Sequence, residues 1–173
     1  QEVATLLETD LNDPDGALLR HERILSEFDE SNELSLDIVL LRHESNQAHD
    51  RFLHWIDHAL NTQHVPDARS GLYYRAIDMA RDGGQLTRAL DYLQAAETEF
   101  PNDLDFRRMH VETARSTNDP EALTTALRSL ANGTEDAEER GQARKEYAQI
   151  LSGLEDREDD AIAELNLHLR DEP

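Results

Sequence analysis

The stretch from Ser70 to Pro101 constrains the fold more than any other part of this chain. It predicts two short amphipathic helices, joined at Gly83-Gly84 and closed by the proline. Apolar residues recur in it at i, i+3, i+4 and i+7, which is the spacing of one face of an α-helix. The first face carries Tyr73, Ala76, Ile77 and Ala80, and the second carries Leu86, Ala89, Leu90, Leu93 and Ala96. Each helix therefore has an apolar side that needs a partner.

The next stretch repeats this organisation. Large apolar residues fall on a first helix and small residues on a second; they are Phe106 and Met109, then Ala122, Ala126 and Ser129. Asp119-Pro120 supplies the second helix with a cap and a first-turn proline, and Asn132-Gly133 supplies a stop. We therefore expect a second helical pair that is bounded at both ends.

These two stretches resemble the tetratricopeptide repeat, a helix-turn-helix unit of about 34 residues with large and small side chains at set positions and a proline at its end. The residues that carry the resemblance are Tyr73, Ala76, Ala80, Ala89, Leu93, Ala96 and Pro101. The resemblance implies stacked helical hairpins that act as a binding scaffold. Armadillo-like and other αα-hairpin arrays would satisfy much of the same pattern.

The same alternation continues elsewhere with less regular spacing. A cap signal at Asp13-Pro14 precedes apolar residues at near-helical spacing: Ala17, Leu18, Ile24, Leu25 and Phe28. Leu34 to His43 and Ala48 to Gln63 predict another pair of helices. Candidate second helices align at Ala17, Arg51, Ala89, Ala122 and Ala161, which are 34, 38, 33 and 39 residues apart. This uneven spacing indicates a divergent array.

The patterns together predict an all-α fold, and the resemblance implies a right-handed superhelical array of about five αα-hairpins in one tetratricopeptide-like domain. The predicted units cover approximately residues 1–31, 32–66, 67–101, 102–133 and 134–173. A first helix is expected from about Glu2 to Thr9, and the chain begins at Gln1 without a methionine. We therefore expect a fragment of a larger protein.

The chain is strongly acidic, with 38 acidic and 17 basic residues and a formal charge of -21. Nucleic acid is not expected as a partner, because phosphate binding requires a positively charged surface. A halophilic or GC-rich source would explain such a surface through solubility alone. The alternative is that the surface attracts a cationic partner, either a basic protein segment or an amine-bearing polymer.

Other compositional features limit the function less. No apolar run approaches the roughly 20 residues that span a bilayer, so we expect no membrane insertion by this segment. The absence of cysteine excludes disulfides and thiolate metal sites, and it leaves the compartment undetermined.

The resemblance also implies a concave groove lined by residues of the first helices. The positions carried over are Tyr74, Arg75, Asp78 and Arg81 from one unit, and Leu104, Arg107, Arg108 and Val111 from the next. Arginine can hold a carboxylate through two parallel hydrogen bonds, so Arg75, Arg107 and Arg108 could grip an acidic or C-terminal peptide. The alternative is that these arginines pair with the surrounding Asp and Glu side chains.

Histidine gives the only indication of chemistry. Asp50, His54 and His58 recur every four residues on one helix face, where imidazole and carboxylate could share a Zn²⁺ ion. A complete set of three or four ligands is missing, so we predict a histidine stripe that is solvated or packed along its stems, with no metal and no cofactor. Because no phosphate loop or nucleophile motif is present, we do not expect an enzyme.

The predicted function is therefore a protein interaction scaffold that binds a peptide or partner domain through the concave groove. An alternative is an acidic repeat domain of a bacterial export machine that guides a cationic exopolysaccharide. A remote alternative is a metal-dependent hydrolase built around His54 and His58.

Overall fold

The computed structural model describes residues 13–154 and 157–171. Nine α-helices lie in these residues, and none of the described residues forms a strand. They are α1 (Pro14–Arg23), α2 (Glu33–Ser45), α3 (His49–Thr62), α4 (Pro66–Asp82), α5 (Leu86–Glu99), α6 (Leu104–Thr117), α7 (Pro120–Gly133), α8 (Ala137–Leu151) and α9 (Glu158–Asp171). The all-α prediction is confirmed. The predicted helix from Glu2 to Thr9 lies outside the described residues.

Local sequence signals set the ends of several helices. Asp13 caps α1 by accepting a hydrogen bond from the Gly16 backbone N–H at 2.9 Å, with Pro14 at the first helical position. Asp119 caps α7 in the same way, accepting from the Glu121 N–H at 3.0 Å. The predicted stop is also confirmed, because α7 ends at Gly133.

One turn departs from the predicted pattern. A π-helical turn, Ile24–Phe28, follows α1, and the Asp29 N–H donates to the Ile24 carbonyl at 2.8 Å. The extra residue in this turn rotates the side chains that follow it. Leu25 is buried as expected, but Phe28 is 73% exposed. The expectation that Phe28 lies on the buried face is wrong for this reason.

The chain divides into two compact units, with the boundary between Gly84 and Gln85. Unit 1 contains α1 to α4, and unit 2 contains α5 to α9. Within each unit, consecutive helices pack against each other across short connections, which is the arrangement of helical hairpins. The boundary falls inside the predicted repeat 67–101, between its two helices, and the predicted division into five repeats stays a prediction.

Six of the seven residues that carried the repeat resemblance are buried, and Pro101 is exposed. Tyr73, Ala76 and Ala80 lie on α4, and Ala89, Leu93 and Ala96 lie on α5. Small residues at these positions let helices approach closely. Consecutive helices also pack against each other, so the predicted helical hairpins are confirmed within each unit.

The main core of unit 2 is an apolar cluster shared by α6, α7, α8 and α9. Its buried members are Val111, Ala114, Ala126, Leu127, Leu130, Ala131, Ala143, Tyr147, Leu151 and Ala161. Because each helix contributes only a few residues, the core depends on contacts between neighbouring helices.

Candidate functional site

A polar cleft in unit 1 lies between the α2–α3 connection and the last two turns of α4. It has a volume of about 470 Å³, and its lining residues are Glu44, Gln47, His49, Arg75, Asp78, Met79 and Asp82. The α4 residues in this set are spaced i, i+3, i+4 and i+7, so they share one face of the helix. We call this feature the unit 1 cleft.

The backbone at the end of α2 shapes one wall of the unit 1 cleft. Gln47 adopts a left-handed conformation with φ of 52°, and the Ala48 N–H donates to the His43 carbonyl at 2.9 Å. This is a Schellman-type ending, which reverses the chain within a few residues. It places His49 at the start of α3, facing the end of α4.

The other wall closes against His49. A Cβ atom added to Gly83 would lie only 2.9 Å from Cγ of His49. Any larger residue at position 83 would therefore require the imidazole to move. The adjacent Gly84 has φ of +70°, which glycine adopts without strain. The predicted turn at Gly83-Gly84 is confirmed, and Gly83 also leaves room for the histidine.

Arg75 is held within unit 1 by two contacts. Its Nη2 donates to Glu44 Oε2 at 3.1 Å, and its guanidinium carbon lies 5.3 Å from the centre of the Phe52 ring. Glu44, Asp78 and Asp82 thus contribute three carboxylates to the cleft against one guanidinium. The unit 1 cleft has a net negative charge, with Asp78 and Asp82 exposed on α4.

The other two predicted residues of α4 do not line this cleft. Tyr74 and Arg81 are half-buried, and each already makes a contact inside the protein. Of the four residues predicted on α4, the structure therefore brings together Arg75 and Asp78.

In unit 2, Arg107 is engaged by backbone carbonyls. Its Nη1 donates to the Ser129 carbonyl at 2.8 Å, and its Nη2 donates to the Pro101 carbonyl at 3.0 Å. The first bond reaches a carbonyl near the C-terminal end of α7. The guanidinium also lies against Gly133, where a Cβ atom would clash with it. Arg107 therefore stabilises the end of α7.

Arg108 is held by two carboxylates. Its Nε and Nη2 donate to the two oxygens of Glu139 at 2.8 and 3.2 Å, and its Nη1 donates to Asp105 at 3.1 Å. The hydrogen bond from Arg108 is the main reason that the pKa of Glu139 is lowered. The same bonds raise the pKa of Arg108. This bidentate pair joins α6 to α8.

A second pair repeats this arrangement. Arg115 donates to Glu146 at 3.2 and 2.5 Å, and in both pairs the arginine and glutamate are 31 residues apart. Pairing with nearby carboxylates, the alternative drawn from sequence, thus occurs at Arg75 and Arg108. The proposal that Arg75, Arg107 and Arg108 grip an acidic peptide stays a prediction.

The apolar residues predicted beside Arg107 and Arg108 are not free surface. Val111 is only 4% exposed and belongs to the core of unit 2, and Leu104 packs against that core. The expectation that Val111 lines a groove is wrong, because the apolar face of α6 is turned into the core.

Unit 2 also contains a buried polar cluster that was not predicted. Glu97 accepts a hydrogen bond from His110 Nδ1 at 2.7 Å and another from the Ser129 hydroxyl. Burial raises the pKa of Glu97, but the bonds from His110 and Ser129 and the charges of His110 and Arg107 outweigh this effect and lower it. The carboxylate lies between the serine and the histidine, so the histidine does not contact the hydroxyl as in a catalytic triad.

A comparable cluster lies in unit 1. Glu22 Oε1 is 2.8 Å from His43 Nε2 and accepts a hydrogen bond from the Trp55 indole N–H at 3.2 Å. His21 Nδ1 lies 3.0 Å from the Ser35 hydroxyl. These contacts satisfy polar groups between α1, α2 and α3. The sequence contains no local signal for them, because the partners come from different helices.

The histidine stripe of α3 makes ordinary structural contacts. His58 Nε2 is 3.0 Å from the Glu30 carbonyl, and His54 and His58 each lie 5.4 Å from the Trp55 ring, edge to face. Among residues 13–154 and 157–171, no three His, Asp or Glu side chains are arranged to hold a metal ion. None of the helices in the described part of the chain has the length and apolarity to cross a membrane.

Comparisons with known proteins find structural likenesses but no sequence match. No protein-family model matches the chain, and no curated protein matches its sequence. The chain resembles YrrB, described as a TPR protein with an unusual peptide-binding site, at 17% identity and a TM-score of 0.49, over 98% of this chain and 83% of that one. It also resembles the MamA RS-1 ArsTM double mutant at 13% identity and a TM-score of 0.48, over 99% of this chain and 91% of that one.

Proposed function

We propose that this chain is a protein interaction scaffold and that the unit 1 cleft binds a basic segment of a partner protein. The charge balance of the cleft supports this proposal most directly. Its single guanidinium, Arg75, is already paired with Glu44, whereas Asp78 and Asp82 remain exposed. A lysine or arginine side chain entering the cleft would meet a surplus of carboxylates.

The dimensions of the unit 1 cleft suit such a segment. A volume of about 470 Å³ lies within the range of sites that enclose small ligands or a few side chains. Asp78 and Asp82 stand one helical turn apart, so a single guanidinium or two neighbouring ammonium groups could reach both. The chain charge of -21 would attract a cationic segment before contact and would make binding weaken as salt increases.

This proposal revises the polarity expected from sequence. An acidic peptide would have to displace Glu44 from Arg75 in unit 1, or Glu139 and Asp105 from Arg108 in unit 2. Displacing an existing pair removes most of the gain that a new pair would bring. A basic segment has no such cost at Asp78 and Asp82.

The proposal is tested with a fluorescent peptide of alternating arginine and alanine, titrated with the full chain at low and physiological salt. Replacing both carboxylates in Asp78→Asn/Asp82→Asn should weaken binding about three- to tenfold, because each exposed pair contributes about 0.2–1 kcal/mol. The matched control is Glu33→Gln/Asp37→Asn, which removes two exposed carboxylates from α2 and should change the affinity less than about twofold.

Three results would contradict the proposal. Equal losses in the two double variants would mean that the general acidity of the chain attracts the peptide. Preferential binding of a poly-glutamate peptide, lost in Arg75→Gln, would restore the original arginine hypothesis. Binding of a glucosamine oligomer with no binding of the peptide would favour the cationic polysaccharide.

A further inference from the structure

The last described helix, α9, presents an apolar stripe to solvent. Ile162, Leu165 and Leu169 are 57%, 41% and 64% exposed, and their spacing of three and four residues places them in one row along the helix. A neighbouring flank of α9 is used, because Ala161 is buried in the core of unit 2 and Glu164 pairs with Arg144 of α8 at 3.5 Å. Within residues 13–154 and 157–171, no helix covers the row.

The corresponding row of α7 is covered. Counted from the first residue of each helix, Ile162, Leu165 and Leu169 correspond to Thr124, Leu127 and Ala131, which are 5%, 1% and 2% exposed. The packing partners of α7 are α6 on one side and α8 on the other.

The side of α7 that faces α8 can be assigned from Arg107 of α6. Arg107 lies against Gly133, and Ala126 stands two turns earlier on the same flank, so this flank of α7 faces α6. The Thr124, Leu127 and Ala131 row lies on the other side of α7, which leaves it to face the remaining packing partner, α8. In unit 2 itself, this row is thus the surface on which a following amphipathic helix docks.

We propose that the Ile162, Leu165 and Leu169 row is a docking surface for an amphipathic helix with basic flanks, supplied by a partner protein. The helix that covers the equivalent row shows the required shape, since α8 packs with Ala143, Tyr147 and Leu151 at i, i+4 and i+8. The charge of the partner follows from the surface around the row. Glu158, Asp159 and Asp160 form the exposed first turn of α9, so a helix carrying lysine or arginine is favoured.

A second copy of this chain fits the surface less well. Each copy carries a charge of -21, and pairing two α9 helices would bring like charges together. The surface is also separate from the unit 1 cleft, so the two proposals can succeed or fail independently.

The test uses a labelled helical peptide with the sequence of residues 137–151 in which Glu138, Glu139 and Glu146 are replaced by glutamine. The peptide keeps the apolar face that covers α7 and carries three basic residues. Fluorescence anisotropy with the full chain should show saturable binding that weakens at least about tenfold in Leu165→Ser/Leu169→Ser, because two leucines lose their buried contact. At low salt, the peptide that keeps Glu138, Glu139 and Glu146 should bind more weakly than the glutamine-substituted peptide.

Two controls separate docking from other effects. Leu41→Ser removes a leucine of α2 that is 63% exposed and should leave the affinity unchanged. Circular dichroism should show equal helix content in all variants, because the substituted leucines lie on the surface.

Absence of binding to the wild-type chain, or equal affinity for the wild type and the double variant, would overturn the proposal. So would concentration-dependent dimerisation in sedimentation velocity that is lost in the double variant, since a second copy would then occupy the row. Loss of peptide binding in a longer natural form of the chain would assign the row to a following segment of the same protein and would also overturn the proposal.

Discussion

Replacing Glu97 with glutamine should destabilise unit 2 substantially. The Glu97 side chain is 13% exposed and that of His110 is 8% exposed, and their contact of 2.7 Å is accompanied by a hydrogen bond from the Ser129 hydroxyl. Glutamine has nearly the same shape but only one accepting oxygen, and its NH₂ group would face a donor. One buried donor is therefore left without its partner, and the other loses a charged acceptor.

The magnitude follows from these two losses. A buried donor left unpaired costs about 1–3 kcal/mol, and a hydrogen bond to a charged group contributes about 1.5–3 kcal/mol. Since the second bond is weakened but not removed, the expected loss is about 2–4 kcal/mol in the free energy of unfolding at pH 7. For a chain of this size, each kcal/mol lowers the Tm by about 2–4 °C.

The effect should depend on pH in a defined direction. The pKa of Glu97 is lowered from its ordinary value of 4.5, because hydrogen bonds from His110 and Ser129 outweigh the effect of burial. The ionised carboxylate therefore stabilises the folded chain fully above the unfolded pKa, and this contribution disappears as the pH falls through the folded pKa. Glutamine does not titrate, so the gap between wild type and Glu97→Gln should narrow in acid.

Urea unfolding followed by circular dichroism at pH 7 and at pH values below 4.5 would measure both effects. Asp91→Asn is the matched control, because Asp91 is an exposed acid on the same helix, α5, and should change stability by less than about 0.5 kcal/mol. A loss below about 0.5 kcal/mol for Glu97→Gln at pH 7 would show that the buried carboxylate does not stabilise unit 2. A difference between wild type and Glu97→Gln that stays constant into acid would contradict the lowered pKa of Glu97.

Three further predictions concern backbone positions. Gly83→Ala should lower the Tm by several degrees in a thermal melt, because the new Cβ would lie 2.9 Å from Cγ of His49; an unchanged Tm would mean that the imidazole moves freely. Asn118 has φ of 56°, which is the left-handed conformation. In urea unfolding, Asn118→Gly should therefore be neutral or stabilising, whereas Asn118→Val should lower the free energy of unfolding by about 1–2 kcal/mol. Equal stabilities of the two variants would argue against the left-handed conformation. Gly133→Ala should displace Arg107 and lower the free energy of unfolding by about 1 kcal/mol. In a double-mutant cycle, adding Gly133→Ala to Arg107→Ala should cost little further stability. Fully additive losses would contradict this contact.

The features predicted correctly from sequence are those that neighbouring residues determine. Asp13 and Asp119 cap their helices because an acidic side chain beside a first-turn proline can satisfy a free N–H without help from the rest of the fold. Small residues such as Ala76 and Ala80 are buried because helical periodicity alone assigns them to the apolar face.

The features that sequence did not predict depend on distant partners. Arg108 could pair with any of many carboxylates, and the choice of Glu139 follows from the packing of α6 beside α8. Arg107 binds carbonyl groups, which every residue possesses and no pattern distinguishes. Phe28 is exposed because one extra residue in a helical turn changes the register, and the apolar spacing does not reveal that insertion.

The proposed polarity of the cleft follows from the same distant pairing. Sequence alone counts Arg75 as a possible ligand for a carboxylate, whereas in the structure Arg75 contacts Glu44, and Asp78 and Asp82 are the exposed charges of that wall. The function proposed for the chain thus depends on tertiary contacts more than on composition.

An NMR titration would test this account most directly. Amide shifts of the isotope-labelled full chain would be followed as an arginine-rich peptide is added at physiological salt. If the unit 1 cleft binds the peptide, saturable shift changes should be concentrated at residues 44–49 and 75–82, which contain the residues of the cleft. Changes spread evenly over the acidic surface, or changes in this region with a glutamate-rich peptide alone, would contradict it.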